Sequence, residues 1–244
     1  EKNSAFIKRI HGYTDCKMQE SIKEISKGKN IGKKNETSVI EQATNEAQSL
    51  WKKQTDAGYV EDINNISNLN ENVLPMLAHD FHKRGKDIIF PCYAQPKLDG
   101  VRLLAKIKSS LEISFISRTG KEITTLDHIV IELQTLLKKI PGNKYPFFID
   151  GEIFTFDLPF EEISGLFRKI DRDDKKKLLH FHIFDVFRDN VSCFIDRLTI
   201  LNEMKTVIEN NKKINALVIV DTIECDLRED VSEIHGKYML QQYE

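Results

Sequence analysis

Apolar and polar positions change period several times along the chain, and each change predicts an element. Residues 5–10 (AFIKRI) read as a strand. A polar stretch follows, and then Ala43, Ala47, Leu50 and Trp51 recur at helical spacing. Thr37 or Ser38 would cap that helix, with Glu41 in capping-box position three residues after Ser38. Residues 62–72, rich in Asn and Ser, read as a linker at a domain boundary. Beyond it, residues 101–107 and 111–116 are apolar, β-branched runs separated by Lys108, Ser109 and Ser110, which predicts a hairpin. Residues 128–140 carry a helical pattern ending before Pro141. Short strands at 147–149 and 153–156 are expected to flank a turn at Asp150-Gly151, and residues 161–170 to form a helix with Ile163, Leu166, Phe167 and Ile170 inward. Residues 178–187 and 216–221 read as strands, 197–210 and 229–242 as helices. Mixed sheets with helices packed outside them follow, an α+β or α/β arrangement.

The 244 residues suit one large domain or a domain with a small appendage, and 40% hydrophobic with 30% charged residues supports a folded core. No apolar run approaches the roughly 20 residues of a membrane span. The sequence starts at Glu1 without a signal pattern, so it is expected to be a piece of something longer. The formal charge is -2 and suggests no polyanion partner. Its distribution is uneven: Lys23, Lys27, Lys29, Lys33 and Lys34 surround the single acid Glu24, a stretch that could touch phosphates but reads more readily as solvated surface. Cys16, Cys92, Cys193 and Cys225 form no CxxC pair, so neither a zinc site nor a disulfide framework is signalled and reduced thiols are expected.

Three decoys fall away. Residues 28–34, GKNIGKK, are one residue short of a phosphate-binding P-loop and put Lys34 where Ser or Thr should bind magnesium. His79 and His82 have metal-compatible spacing without a third ligand. No GxSxG elbow supports a nucleophilic serine.

The informative stretch is Tyr93-Ala94-Gln95-Pro96-Lys97-Leu98-Asp99-Gly100-Val101-Arg102. Pro96 keeps Gln95 extended, and Asp99-Gly100 predicts a tight turn into the strand from Val101. Lys97 then stands on a rigid frame at a strand edge, where a nucleophile benefits from fixed orientation. Taken alone, the stretch could equally be a polar turn beside a core strand.

PKLDGVR resembles the KxDGxR motif of the covalent nucleotidyltransferases: ATP-dependent DNA ligases, RNA ligases and mRNA capping enzymes. Ser117-Arg118-Thr119-Gly120 is similar to the family's second motif, Asp150-Gly151-Glu152 to its third, and Phe184-Asp185 to the next, followed by Arg197 in FIDRL. Glu244 stands where a fourth main motif would begin. The motifs occur in the family's order over about residues 91–244, and SRTG resembles DNA ligases most. The resemblance implies an α+β nucleotidyltransferase (ATP-grasp-like ligase) domain of antiparallel and mixed sheets flanked by helices. A small α/β module at 1–60 would precede it, a candidate DNA-binding element, with 61–90 as linker and lead-in helix. The leading segment is loosely similar to a module found ahead of some ligase or DNA-end-binding sequences, without the tryptophan-glycine-arginine signature of such modules. The lysines of the family's last motif and an OB-fold domain would lie downstream, so residues 1–244 alone are expected to seal nicks poorly.

What the resemblance implies chemically is specific. Lys97 would take AMP from ATP as a covalent intermediate, AMP would pass to a DNA 5′-phosphate, and the nick would be sealed. An unperturbed lysine has a pKa of about 10.4, so presenting it neutral at pH 7 costs roughly 4–5 kcal/mol, and nearby positive charge or a divalent metal lowers that cost. Gln95, Lys97, Arg102, Arg118, Glu152 and Phe184 would bind the nucleotide, Phe184 by stacking on adenine. Glu152 and Glu244 would hold Mg2+. Gln95 departs from the glutamate common at its position. Residues 160–172 and Lys175, Lys176 and Lys177 are candidates for DNA backbone contact, with solvated surface as the plainer reading. The implied partner is nicked double-stranded DNA. No membrane is involved, a monomer is expected, and the setting is intracellular: the cytoplasm of a bacterial or viral system, or a nucleus. A capping guanylyltransferase or RNA ligase is the alternative enzyme, and a non-catalytic nucleic-acid-binding fragment the alternative of another class.

Overall fold

The structure is a computed structural model, and it describes residues 4–13, 15–56, 59–62, 75–140, 148–171, 173–187, 193–241 and 243. Contacts divide the chain into two units, residues 1–72 and 73–244. Most of the expected linker at 62–72 lies outside the described residues.

In the first unit, β1 (Ala5–His11) pairs antiparallel with β2 (Gln19–Ile25), from Ala5 opposite Ile25 to His11 opposite Gln19. Helix α1 (Val39–Asp56) starts on the expected capping box. The Glu41 backbone N–H donates to Ser38 Oγ at 3.2 Å, and the Ser38 N–H donates to the Glu41 carboxylate at 2.8 Å. Two orphan donors at the helix start are thereby satisfied. The core is small: Ile7, Ile25 and Ala43, with Ala5, Val39 and Leu50 against it. Ala47 and Trp51, predicted from their spacing to join it, are exposed instead and line a groove of about 840 Å³ with Ile10, Leu50 and Tyr59. The Trp51 indole N–H donates to Glu61 at 3.2 Å. Strand β2 escaped the sequence reading because only Ile25 of its seven residues is buried, so its pattern is polar on both faces.

The second unit opens with the short α2 (Phe81–Arg84) and β3 (Cys92–Ala94). Then come β4 (Val101–Ile107), β5 (Ile113–Ser117), β6 (Glu122–Ile123), α3 (Asp127–Leu137) and β7 (Phe148–Phe154). The chain continues through α4 (Phe160–Arg168), β8 (His180–Phe187), α5 (Phe194–Glu209), β9 (Leu217–Ile219), β10 (Ile223–Cys225) and α6 (Arg228–Leu240). Six strands make one sheet in the order β6-β5-β4-β7-β8-β9, antiparallel except for the β8–β9 pair, and β3 pairs with β10 in a separate ribbon. The α+β expectation is borne out.

Alternation along the central strands sorts residues to two faces. Leu103, Ala105, Ile149, Ile153, Phe181 and Ile183 join Ile129, Leu133 and Leu136 of α3 and Leu201 and Met204 of α5 in one buried cluster. Each fully buried Leu or Ile contributes roughly 1.5–3 kcal/mol, which anchors the opposite, polar face. The hairpin at 101–116 is present, with Lys108 N–H donating to Glu112 O at 3.0 Å across its loop.

Two expectations are corrected. Asp150-Gly151 is not a turn but the middle of the continuous strand β7. Gly151 is there because a Cβ would sit 2.3 Å from the carbonyl oxygen of His182 and 2.6 Å from the Phe181 ring. Ile170 is 87% exposed, because α4 ends at Arg168 and the helical stripe ends with it. Gly100, read as a turn residue, likewise serves close approach: its Cβ would meet Ile153 O at 2.3 Å and Glu152 Cγ at 2.8 Å.

Gly151→Ala is expected to cost about 2 kcal/mol through overpacking and to lower the melting temperature by roughly 4–8 °C. An unchanged thermal melt contradicts the close approach of β7 and β8.

Candidate active site

The polar face of the sheet is built by register. Arg102 on β4 lies opposite Glu152 on β7, and Glu152 lies opposite His182 on β8. Asp150 shares the face, two residues from Glu152. The register then slips: Asp150 pairs with Asp185 and Gly151 with Ile183, leaving Phe184 as the extra residue on β8. This bulge resets the alternation, so that Ile183 and Val186, three apart rather than two or four, both belong to the buried cluster. Phe184 thus faces the polar side, where it meets Arg102.

Arg102 holds this face together. Its Nε and Nη2 donate to the two oxygens of Asp150, each at 2.7 Å, and its guanidinium carbon stands 4.4 Å from the centre of the Phe184 ring. The fork-to-carboxylate geometry and the stacking both depend on a planar guanidinium. Burial works against the charge on Arg102, but the hydrogen bonds and charge of Asp150 outweigh it and leave the pKa of Arg102 raised. Burial also raises the Asp150 carboxyl, against the downward pull of Arg102. Behind them Arg197 pairs with Asp185 at 2.7 and 3.1 Å.

Glu152 is less well compensated. Burial pushes its pKa up to about 7, the charge of Arg102 offsets this in part, Asp150 adds to it, Lys97 lowers it and Asp99 raises it again. Lys97 and Asp99 are exposed, yet their charges reach this carboxyl. The segment that begins at Lys97 comes up against Glu152 at Gly100, where a Cβ would sit 2.8 Å from Glu152 Cγ. Opposite Glu152, His182 is held near pKa 4 by burial and by His180, so it stays neutral at physiological pH.

Gln95 has a definite orientation. One amide contact is Phe184 O at 2.9 Å, which can only accept, so the NH2 end must face it; the same nitrogen donates to Thr222 Oγ1 at 2.9 Å. The amide oxygen is thereby the end left to accept.

The structure thus gathers Arg102, Glu152 and Phe184 on one stretch of sheet, with Gln95 tied to the backbone of Phe184 and Lys97 on the segment whose Gly100 abuts Glu152. Arg118 lies on the exposed turn after β5, where Gly120 has a φ of 80°, and has no ion pair among the described residues. Glu244 lies outside the described residues, as does Arg172. Of the lysine run, Lys176 is buried and donates to the carbonyl oxygen of Lys169, while Lys177 pairs with Asp174 at 2.9 Å. Among the described residues no group of three or more His, Cys, Asp or Glu could hold a metal ion. Sequence reasoning missed Asp150 as the partner of Arg102 and Thr222 as the partner of Gln95. Asp150 was visible in the DGE triplet, two residues before Glu152 and so on the same face of any strand, but Thr222 carries no local signal.

The profile described as "ATP dependent DNA ligase domain" matches residues 75–244. A DNA ligase of African swine fever virus, from a Kenyan pig isolate, is 32% identical over 168 residues, covering 67% of this chain and 37% of its own. The DNA ligase of a Namibian warthog isolate is 31% identical over 165 residues, with the same coverage of both chains. This chain therefore spans little more than a third of the length of these curated relatives. Among solved structures, "Pmar-Lig_Pre." is similar with a TM-score of 0.58 at 22% identity, covering 77% of this chain and 46% of that one. The ATP-dependent DNA ligase from bacteriophage T7 in complex with ATP has a TM-score of 0.50 at 18% identity, covering 62% and 54%. The fold is shared with these structures, and the profile match, reaching from before β3 to the last residue, shows that the chain belongs to the ATP-dependent DNA ligase family.

Proposed function

We propose that residues 75–244 carry out the adenylation chemistry of a DNA ligase. The neutral Lys97 amine attacks the α-phosphorus of ATP, a P–N bond forms, and pyrophosphate leaves. The AMP passes from Lys97 to the 5′-phosphate at a nick in duplex DNA, and the 3′-hydroxyl closes the nick as AMP departs. The observation that supports this reading is the convergence of Arg102, Glu152 and Phe184 on one face, beside the segment from Lys97 whose Gly100 abuts Glu152.

Each neighbour has work that its geometry suits. Glu152 is a carboxylate that burial has brought close to neutrality, so an approaching cation or hydroxyl donor returns it to its charged form. That fits a ribose hydroxyl and Mg2+, which binds through one or two carboxylates with waters and substrate phosphates. Magnesium bound there would neutralise phosphate charge and favour the neutral lysine. Arg118, exposed on its turn, is suited to phosphate oxygens of nucleotide or DNA. Arg102 is committed to Asp150 and supports the site through Phe184, whose ring would pack against the base. The fixed amide oxygen of Gln95 accepts; it complements the amino group of adenine and opposes the carbonyl of guanine. This supports ATP over GTP, and hence ligase over capping enzyme. Nicked DNA and ATP as substrates place the reaction inside the cell, with the chain acting as a monomer; among the described residues no helix is long and apolar enough to cross a membrane.

Incubated with ATP and Mg2+, the protein is expected to gain the mass of one AMP, and GTP to give no adduct. Lys97→Ala should abolish the adduct while leaving the thermal melt unchanged. An adduct that persists on that variant, or arises from GTP alone, contradicts the proposal. Glu152 supplies a second test. Its folded pKa is raised from 4.5 to about 7, so its contribution to the stability of the free protein is fully present below pH 4.5 and is lost as pH rises through 7. Glu152→Gln is therefore expected to raise stability by on the order of 2 kcal/mol at pH 8.5 and to change it little at pH 4. Equal effects at the two pH values in paired melts contradict the shift.

A further inference from the structure

Cys92 and Cys225 are far apart in sequence but stand directly opposite one another in the antiparallel β3–β10 ribbon. Directly opposed residues project to the same face with Cα atoms about 4.5–5.5 Å apart, inside the 4.4–6.8 Å range that a disulfide spans. The Cys225 thiol donates to the carbonyl oxygen of Ile223 at 3.9 Å, and Cys92 is near enough to add, after burial, to the upward shift of the Cys225 pKa. Cys225 is buried and Cys92 half-buried, and all four cysteines of the chain are free thiols in this state. Cys16 and Cys193, by contrast, are exposed, and Cys193 Sγ donates to Asp196 at 2.8 Å.

We propose that Cys92 and Cys225 form a reversible dithiol–disulfide site, closed by exchange with a small disulfide of the glutathione class. The more accessible Cys92 thiolate attacks one sulfur of the small disulfide, breaking its S–S bond and releasing one thiol. The Cys225 thiolate then attacks the Cys92 sulfur of the mixed disulfide, forming the protein S–S bond and releasing the second thiol. Two protein thiols give up two electrons and two protons, and one small disulfide is reduced to two thiols. Burial raises the pKa of Cys225, which suits it to the second, intramolecular step rather than to the first encounter.

The location gives the bond a structural consequence. Strand β3 runs through Ala94, opposite Ile223, directly into Gln95, and Thr222, which precedes β10, accepts from the Gln95 amide. Of the six residues of the ribbon only Cys225 is fully buried; beside backbone pairing, Tyr93 donates to Glu224 at 3.3 Å and its ring packs 5.2 Å from that of Phe194. A covalent tie at its far end fixes the approach of the chain to Pro96 and Lys97.

The test uses the full chain, equilibrated with graded ratios of oxidised and reduced glutathione, alkylated, and digested without reductant for peptide mapping. Expected is a Cys92–Cys225 linked peptide, lighter than the two thiol peptides by two hydrogens and reversed by dithiothreitol, with Cys16 and Cys193 carrying only glutathione or alkyl groups. Oxidation should raise the melting temperature by roughly 5–10 °C. Cys225→Ser should leave Cys92 trapped as a glutathione adduct. A wild-type protein that retains glutathione on Cys92 without cross-linking, that links Cys92 to another cysteine, or whose cross-link lowers the melting temperature overturns the proposal. None of these readouts depends on ATP or DNA.

Discussion

Arg102 ties three strands together on the polar face of the sheet. Its fork closes on Asp150 of β7 from a position on β4, and its plane lies on the Phe184 ring of β8. A charge in this half-buried setting is costly unless its donors are matched, and a bidentate carboxylate with an aromatic face meets most of that need. The same contact requires Phe184 to face Arg102, which the bulge on β8 achieves. It also requires β7 and β8 to approach closely, which Gly151 permits. Pair, bulge and glycine form one arrangement.

The commitment of Arg102 to Asp150 shapes the rest of the face. Glu152 lies opposite Arg102 but receives only part of its charge, and burial leaves this carboxyl near neutrality. The segment from Lys97 comes against it at Gly100, and His182, held near pKa 4, stands opposite it on β8. A face in which one acid is satisfied and the next is not is suited to receive a cation-bearing or hydroxyl-bearing ligand. In this arrangement Asp150 is satisfied by Arg102 and Glu152 is left near neutrality, although the two stand in one DGE triplet.

Much of this was legible in the sequence because it depends on local pattern. The capping box at Ser38 and Glu41 follows from its motif, and the hairpin from Val101 and the helices after Leu126 and Cys193 follow from the spacing of their apolar residues. The grouping of Arg102, Glu152 and Phe184, with Lys97 on the adjoining segment, was legible through ordered motifs. What escaped depends on partners distant in the chain. A DG pair looks like a turn, yet Gly151 answers to the His182 carbonyl on the next strand. Strands β3 and β10 are three residues each and have no periodicity to detect. Thr222 and the Cys92–Cys225 apposition exist only because that ribbon forms. Ile170 and Trp51 fit apolar stripes but are exposed.

The interaction at the centre of this account is best measured by a double-mutant cycle on Arg102→Met and Asp150→Asn, with stability taken from denaturant unfolding. If the pair holds the face together, the losses of the two single variants exceed that of the double variant by about 1–3 kcal/mol, because each single change leaves a buried partner unmatched. Losses that add to within about 0.5 kcal/mol would show two independent residues and contradict the account.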